Sequence, residues 1–167
     1  MTVTKTLRPA QITDWPSIRR IYLEGIATGL ATFETSCGVP EGGSDWFSGK
    51  IENSVFVLGE DQVAGWSALS PVSDRCVYGG VAEVSVYVDL AAGGKGLGTV
   101  LLNRLIEFAE QNNYWTLQAG IFQENVPSVR LHEKCGFRTV GVREKLGQLN
   151  GEWKDVLLME RRSTTIQ

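Results

Sequence analysis

The sequence has no long hydrophobic run, little net charge and only one histidine. Because no stretch of about 18 consecutive apolar residues occurs, the sequence predicts no membrane-spanning helix. A net charge of −3 argues against a nucleic-acid-binding protein, whose surface is usually strongly basic. The first residues, MTVTKTLRPAQ, lack the apolar core of a signal peptide. We therefore expect a cytoplasmic protein that binds neither membrane nor nucleic acid.

Cysteine is also scarce, and the three that occur show no metal-binding or redox spacing. Cys37, Cys76 and Cys135 are odd in number and include no CxxC pair. Such a set is typical of reduced thiols inside a cell, so we expect no disulfide framework and no bound metal. No local signature supports a nucleophilic role for any of the three.

What the sequence does contain is enough apolar residues for one folded domain. Of its 167 residues, 43% are hydrophobic, which predicts a single globular domain over residues 1–167. Alternation, helical spacing and turn residues together predict the order β-α-α-β-β-β-α-β-α-β-β. Because hairpins and helical crossovers are mixed, we expect an α+β fold with a mixed, mostly antiparallel sheet of about seven strands and four helices.

Particular residues predict where several elements begin and end. Asp14 is expected to cap the first helix, and Pro16 lies in its first turn. Gly136 is expected to end the last helix, and Asn150–Gly151 predicts the turn of the final hairpin. The other predicted boundaries are an opening strand over Lys5–Ala10, a strand over Val81–Asp89, a helix over Gly96–Asn112 and a helix from Pro127.

The most informative segment is GGKGLGT, Gly93–Thr99, between a predicted strand and a predicted helix. Glycine costs conformational entropy, so four glycines indicate that the backbone must be bare there. A helix N-terminus offers free N–H groups and partial positive charge, which can hold a phosphate. The P-loop pattern fails because Gly96 follows Lys95, and the dinucleotide pattern GxGxxG fails at Leu101.

A third pattern fits better, namely [QR]-x-x-G-x-[GA], the pyrophosphate turn of the GNAT acetyltransferases, which this sequence resembles. Gly96 and Gly98 match its two glycine positions, whereas Gly93 replaces the usual glutamine or arginine. Lys95 can still add positive charge beside the backbone donors. The resemblance implies that the diphosphate of acetyl-CoA binds across Gly93, Gly94, Lys95, Gly96, Leu97, Gly98 and Thr99.

Four further segments narrow the resemblance to one branch of that family. TGLATFET, AEVSVYV, SVRLHEKCGF and NGEWKDV are similar to segments of phosphinothricin N-acetyltransferases and their amino-acid-acetylating relatives. The match spans almost the whole chain in the same order. It implies the three-layer GNAT fold, acetyl-CoA as co-substrate without a metal, and a homodimer. The implied acceptor is a small amino acid such as phosphinothricin, methionine sulfoximine or methionine sulfone.

Glu83 is the predicted catalytic base, because the ammonium group of the acceptor must lose a proton before the amine can attack. In the alternating strand, Glu83 shares one face with Ser85 and Tyr87. A carboxylate in mid-strand is expected to face water or a cleft, and partial burial would raise its pKa. Direct proton abstraction and relay through a water molecule both remain open.

His132 stands where many GNAT enzymes have a tyrosine and where the phosphinothricin branch has a histidine. Imidazole titrates near neutral pH and can give or take a proton. Two roles therefore remain open, an acid toward the departing sulfur and a second base near the amine. The plain alternative is a helix-surface histidine without a catalytic role.

The resemblance also implies the contacts of the acetyl and pantetheine groups. Backbone groups of Val86, Tyr87 and Val88 are expected to bind them where a bulge parts the fourth strand from the fifth. Asn125 is expected either to hydrogen-bond the pantetheine arm or simply to cap its helix. Ser128, one turn further along, is expected to contact the coenzyme.

Acceptor-binding residues are predicted in two loops and on the catalytic strand. Phe33 is expected to pack beside the acceptor, and Arg75 to bind its carboxylate or phosphinate in a bidentate manner. Tyr78 and Ser85 complete the set. The plain alternatives are an aromatic residue that anchors its loop at Phe33 and a solvated charge at Arg75.

Two other functions remain open from the sequence alone. Among enzymes, the acceptor could be a protein N-terminus or a polyamine, and a protein acceptor would need an open groove rather than a closed pocket. Outside the enzymes, the chain could be an acyl-CoA sensor without turnover. Binding alone requires neither Glu83 nor His132, so the presence of both favours an enzyme.

Overall fold

Seven β-strands form a single sheet in the computed structural model, which describes residues 6–167. Their order is β1-β2-β3-β4-β5-β7-β6, and every neighbouring pair is antiparallel except β4 and β5. Parallel neighbours need a crossover connection, and here a helix supplies it. The strands are β1 (Leu7–Pro9), β2 (Phe56–Leu58), β3 (Gly65–Pro71), β4 (Val81–Val88), β5 (Thr116–Phe122), β6 (Arg138–Leu149) and β7 (Glu152–Arg162).

Four α-helices cover the two faces of the sheet and make it the middle of three layers. One face carries α3 and α4 over a core that includes Leu102, Leu105 and Met159. The other face carries α1 and α2 around Ile18 and Trp66. The helices are α1 (Trp15–Ala27), α2 (Gly43–Ser48), α3 (Leu97–Gln111) and α4 (Val126–Lys134).

The predicted fold class and order of elements are confirmed. Gly96 and Asn112, the predicted ends of the central helix, are the residues that flank α3 on either side. Asn150 and Gly151 both have positive φ, as a type I′ hairpin turn requires. β1 is shorter than the predicted opening strand, and Lys5 of that strand lies outside the described residues.

Asp14 lies directly before α1, but its carboxylate makes no capping hydrogen bond to that helix. It accepts a hydrogen bond from the Gln11 backbone N–H and pairs with the Arg8 guanidinium at 2.8 Å. The hydrogen bond from Arg8 is the main cause that lowers the pKa of Asp14. Asp14 is therefore the N-cap residue of α1, as predicted, but its carboxylate ties β1 to the segment that leads into α1 and does not cap the helix.

The sheet opens between β4 and β5, and this opening positions the site. Among the described residues, the two strands pair only over Val81–Glu83 and Thr116–Gln118. Beyond these positions, β4 pairs with β3 and β5 pairs with β7. The β3–β4 register runs without a shift, so the strands part without the predicted bulge in that ladder. Main-chain groups of β4 beyond Glu83 therefore face a gap on the β5 side.

Residues 6–167 contain neither a membrane-spanning helix nor a cluster of metal ligands. None of the helices there is long and apolar enough to cross a membrane. In the same part of the chain, no three His, Cys, Asp or Glu side chains are grouped so that they could hold a metal ion.

Candidate active site

A cavity of about 510 Å³ lies where β4 and β5 part. Its walls come from β4 to β7, from α4 and from the loop that follows α1. Most of the predicted catalytic and acetyl-binding residues meet there, although they are distant in the sequence. Nine predicted residues line the cavity: Phe33, Glu83, Ser85, Val86, Tyr87, Val88, Asn125, Ser128 and His132.

Glu83 occupies the last paired position of the β4–β5 ladder, where the gap begins. Its side chain is exposed, and Oε2 accepts a hydrogen bond from Nε2 of Gln118 at 3.3 Å. On the β3 side it lies opposite Ser70, whose Oγ accepts a hydrogen bond from Nζ of Lys50 at 3.3 Å. Burial lowers the pKa of Lys50, and the Glu83 carboxylate acts in the opposite direction. Glu83 thus faces the cleft as a solvated carboxylate rather than a partly buried one.

His132 is buried, with 5% of its surface exposed, so it is not a surface histidine. Nδ1 lies 2.7 Å from the carbonyl oxygen of Ser128, and the ring packs edge-on against Phe137. Burial lowers the pKa of His132, which favours the neutral imidazole. In that form Nδ1–H donates to the carbonyl and Nε2 keeps a free lone pair. The local geometry thus equips His132 to accept a proton.

Asn125 caps α4 and also ties it to the loop after α1. Its Oδ1 accepts a hydrogen bond from the Ser128 N–H at 3.4 Å, so the helix-cap interpretation is confirmed. Its Nδ2 donates to the carbonyl oxygen of Leu30 at 3.1 Å. The side chain therefore ties α4 to a loop that lines the cavity, a role that the sequence does not reveal. Contact of Asn125 with pantetheine stays a prediction.

Aromatic residues on both sides give the cavity firm apolar walls. The Tyr87 ring stacks on Trp66 with centroids 4.7 Å apart, and burial raises the pKa of Tyr87. A Cβ at Gly25 would lie 2.7 Å from the Tyr87 ring, so α1 approaches that ring through a glycine. Across the cavity, Phe33 meets Phe122 edge-on at 4.7 Å. Phe33 therefore both anchors its loop and lines the cavity.

The glycine turn follows β4 and opens α3. Gly94 and Gly96 have φ values of 76° and 73°, a left-handed conformation that favours glycine. A Cβ at either residue would meet no atom within 4 Å, so the surface of the turn is open. Helix geometry leaves the N–H groups of Leu97 to Thr99 without intrahelical acceptors. The turn thus offers main-chain donors to an anion, as the sequence predicts.

Gly98 is a glycine for another reason. A Cβ there would lie 3.0 Å from Cδ2 of Leu131, so this residue allows α3 and α4 to pack closely. Its missing side chain serves helix packing, whereas Gly94 and Gly96 create the open surface.

The structure does not bring Arg75 and Tyr78 to the cavity. They lie in the β3–β4 loop, around the 3-10 turn Cys76–Tyr78, and neither lines the cavity. The Arg75 guanidinium lies over the Tyr78 ring at 5.7 Å, and Tyr78 is 47% exposed. This loop enters β4 at Val81, where β4 and β5 are still paired, so it sits at the closed end of the strand.

Sequence reasoning missed Gln118, Arg143 and Leu146, which all line the cavity. Gln118 is the β5 neighbour of Glu83, a pairing that no local pattern specifies. Arg143 and Leu146 lie on β6, whose register against β7 shifts between Arg143 and Gly147. A glycine inside a strand can indicate such an irregularity, so Gly147 was the available signal.

The parted sheet beside a glycine-rich helix start fits the acetyl-CoA site that the sequence resemblance implies. Residues 15–137 match the model of the acetyltransferase (GNAT) family. YwnH of Bacillus subtilis (strain 168), which carries a provisional phosphinothricin acetyltransferase name, is 35% identical over 159 residues. That match covers 93% of this chain and 98% of YwnH. The chain belongs to the GNAT acetyltransferase family, and the predicted resemblance is confirmed.

Other similar proteins agree in fold and reaction class. The L-methionine sulfoximine/L-methionine sulfone acetyltransferase of Pseudomonas aeruginosa is 28% identical over 162 residues, which cover 95% of this chain and 94% of that protein. A phosphinothricin acetyltransferase from Sinorhizobium meliloti, solved in complex with AcCoA, has a TM-score of 0.83 and 28% identity. The match covers 96% of this chain and 89% of that one. A ribosomal-protein-alanine N-acetyltransferase from Brucella melitensis has a TM-score of 0.86 and 30% identity, and the match covers 95% of this chain and 99% of that one. This chain is an acetyl-CoA-dependent N-acetyltransferase.

Proposed function

We propose that this enzyme acetylates the α-amine of a small amino acid such as phosphinothricin, methionine sulfoximine or methionine sulfone. The observation that carries the proposal is the position of Glu83, an exposed carboxylate where the β4–β5 gap begins. The acceptors named for the Pseudomonas and Sinorhizobium relatives support the substrate class. Bound acetyl-CoA supplies the thioester acetyl group.

The residues of the chain fit that co-substrate. Gly94 and Gly96 form an open turn at the start of a 15-residue helix, which suits a diphosphate held by main-chain N–H groups. Lys95, between them, adds positive charge. Along the gap, the main chain of Val86–Val88 lies beyond the part of β4 that pairs with β5 and is available to the acetyl and pantetheine groups.

Glu83 accepts the proton of the acceptor ammonium group, directly or through one water molecule. Because Glu83 is exposed, both the acceptor and a water molecule can reach it, and the hydrogen bond from Gln118 orients the carboxylate toward the gap. Ser85, two residues along on the same strand, offers a hydroxyl on the same wall of the cavity.

For His132 we propose a role as second base rather than acid toward the sulfur. Nδ1–H is committed to the Ser128 carbonyl, so the neutral ring has no proton on Nε2 to donate. Because burial lowers the pKa of His132, the neutral ring predominates at neutral pH. The free Nε2 therefore accepts a proton or orients a water molecule.

A protein N-terminus is the second candidate acceptor, and the likeness to the Brucella enzyme favours it. A protein chain needs an open groove, whereas the loop over Thr28–Phe33 forms one wall of this cavity. The contacts that hold this wall include the Asn125 hydrogen bond to Leu30 and the Phe33–Phe122 ring contact. A wall held in place by such contacts favours a small acceptor.

We also propose that the enzyme is a cytoplasmic homodimer. The location is supported by the use of acetyl-CoA, an intracellular metabolite, and by free thiols at Cys37 and Cys76.

The dimer is supported by β6, a 12-residue edge strand that exposes Val140 (44%) and Val142 (46%). Two such edges can pair antiparallel about a twofold axis. Sedimentation velocity of the wild type and Val142→Lys tests it, and a monomeric wild type would exclude it.

An acetylation panel tests the proposed function. The purified enzyme is given acetyl-CoA and, in turn, phosphinothricin, methionine sulfoximine, methionine sulfone, spermidine and an alanine-terminated peptide, and the released thiol is measured. We expect the largest kcat/KM among the amino acids. A peptide or polyamine preferred over every amino acid would overturn the proposal.

A further inference from the structure

The ring of Phe33 forms an end wall of the cavity. It packs in a small hydrophobic cluster with Phe122, Leu149 and Val156, which are all buried, and this cluster is separate from the cores on the two faces of the sheet. Both Phe33 and Phe122 line the cavity, and their rings meet edge-on with centroids 4.7 Å apart. The position of the Phe33 ring therefore determines where the cavity ends.

Gly147 on β6 is in direct contact with this ring. A Cβ at Gly147 would lie 3.1 Å from Cε1 and 3.1 Å from Cζ of Phe33, which is closer than an ordinary van der Waals contact. The absence of a side chain thus lets the ring rest on the β6 backbone. Among the described residues, Phe33 lines the cavity and Gly147 does not, so the ring lies between Gly147 and the cavity. A side chain at Gly147 would therefore push the ring inward.

The strand registers place this wall and Glu83 on the same face of the sheet. Gln118 on β5 lies opposite Glu83, and Phe122 is four residues further along β5. Residues an even number apart share a face of a strand, and four residues of strand span about 13 Å. The base and the Phe33 wall therefore stand at two ends of one stretch of the cavity.

An acceptor whose amine lies at Glu83 has its side chain free to extend toward the Phe33 wall. That wall is aromatic and aliphatic, so it suits methylene and methyl groups rather than a charge. We propose that Phe33 limits the length of the acceptor side chain and that Gly147 is a positioning residue that sets this limit through the ring. This inference rests on the proposed function, because it requires an amino-acid acceptor.

A series of sulfones tests this limit, because its members differ only in side-chain length. S-methylcysteine sulfone, methionine sulfone and ethionine sulfone share the amine, the carboxylate and the sulfone, and each is one methylene longer than the one before. The measured quantity is the length ratio, which we define as kcat/KM for ethionine sulfone divided by kcat/KM for S-methylcysteine sulfone. Both values come from one preparation, so a variant that is merely less stable leaves the length ratio unchanged.

Two substitutions are expected to move the length ratio in opposite directions. Gly147→Ala pushes the ring inward by a fraction of an ångström and is expected to lower the ratio about fivefold, less than the effect of a whole methylene. Phe33→Leu lacks Cε1 and Cζ, which opens the end of the cavity, and is expected to raise the ratio about tenfold. Gly141→Ala is the matched control on the same strand, because a Cβ at Gly141 meets no atom within 4 Å. It is expected to keep the wild-type ratio.

The double variant Phe33→Leu/Gly147→Ala shows whether Gly147 acts through the ring. Once Cε1 and Cζ are gone, the added methyl group is expected to change the length ratio less than about twofold relative to Phe33→Leu. A wild-type ratio in Gly147→Ala, or the same shift with and without the ring, would overturn the inference while the proposed function stands. If the wild type acetylates no amino acid, the proposed function falls and takes the inference with it.

Discussion

The proposed coenzyme half of the site, which here means its diphosphate-binding turn, is one run of sequence, Gly93–Thr99, whereas the proposed acceptor half is assembled from β4 to β7, α4 and the loop after α1. The first half offers main-chain N–H groups at a helix start. The second half offers side chains, with a carboxylate, an imidazole and a guanidinium around aromatic walls. One half depends on backbone conformation, and the other on which side chains the fold brings together.

This difference indicates which substitutions each half tolerates. The backbone half can keep its donors even with Gly93 where the family usually has glutamine or arginine, because the turn needs φ values rather than side chains. The side-chain half changes its chemistry with single residues. Divergence within the family is therefore expected to alter the acceptor before it alters the coenzyme.

The largest effect is expected at Gly96. In Gly96→Val, a branched residue must adopt a φ of 73°, which it strongly disfavours, so the turn rearranges and acetyl-CoA binding is lost in calorimetry. Gly151→Val is the control, since Gly151 has a φ of 82° and open surroundings in the distant hairpin. Unchanged coenzyme affinity in Gly96→Val would remove the backbone basis of the coenzyme half.

Glu83→Gln is expected to separate the two halves. Turnover falls about a hundredfold or more, because the amide cannot accept the proton, while acetyl-CoA affinity stays within a few-fold of the wild type. Steady-state kinetics and calorimetry measure the two quantities. Glu107→Gln, on the exposed side of α3, is the control. Near-wild-type turnover in Glu83→Gln would exclude Glu83 as the base.

His132 predicts a pH dependence of stability. Burial lowers the pKa of His132 in the folded state below the ordinary histidine value of about 6.5. Near and below that pH, the unfolded chain therefore binds a proton more readily than the folded chain does. The wild type is thus expected to lose stability as the pH falls through that value, by at most about 1.4 kcal/mol per pH unit. His132→Gln lacks this dependence. Urea titrations of both proteins from pH 7.5 to 5 measure it, and parallel curves would contradict it.

The smallest effect is expected at Asn125, which serves both the helix and the loop. Asn125→Ala removes the α4 cap and is expected to cost about 1 kcal/mol of stability. Asn125→Asp keeps an oxygen for the cap but loses the Nδ2 donor to Leu30. It is expected to retain stability and raise the acceptor KM a few-fold. Equal KM values for Asn125→Asp and the wild type would show that the loop needs no tether.

The sequence predicts the coenzyme half better than the acceptor half, for a physical reason. A helix start and a left-handed glycine are local features, so GGKGLGT identifies the turn and the start of α3 without the rest of the fold. Glu83 could be predicted because strand alternation is also local. Even within GGKGLGT, the spacing of the glycines does not reveal that Gly98 permits a close contact with Leu131.

The acceptor half depends on register and on loop position, which are tertiary. Arg75 was the expected carboxylate ligand because it precedes the catalytic strand, yet its loop enters β4 at the end that β5 closes. Arg143 lies next to a shift in the β6–β7 register. At this shift the Lys145 N–H donates a hydrogen bond to Asp155, ten residues further along the chain. Neither position follows from neighbouring residues, so the sequence does not predict that Arg143 lines the cavity and Arg75 does not.

A crystal structure of the enzyme with coenzyme A and methionine sulfone tests the central claim most directly. We expect the diphosphate on the main-chain N–H groups of Gly94–Thr99 and the acceptor amine within hydrogen-bonding reach of Glu83, directly or through one water molecule. A diphosphate bound elsewhere, or an amine remote from Glu83, would contradict the account.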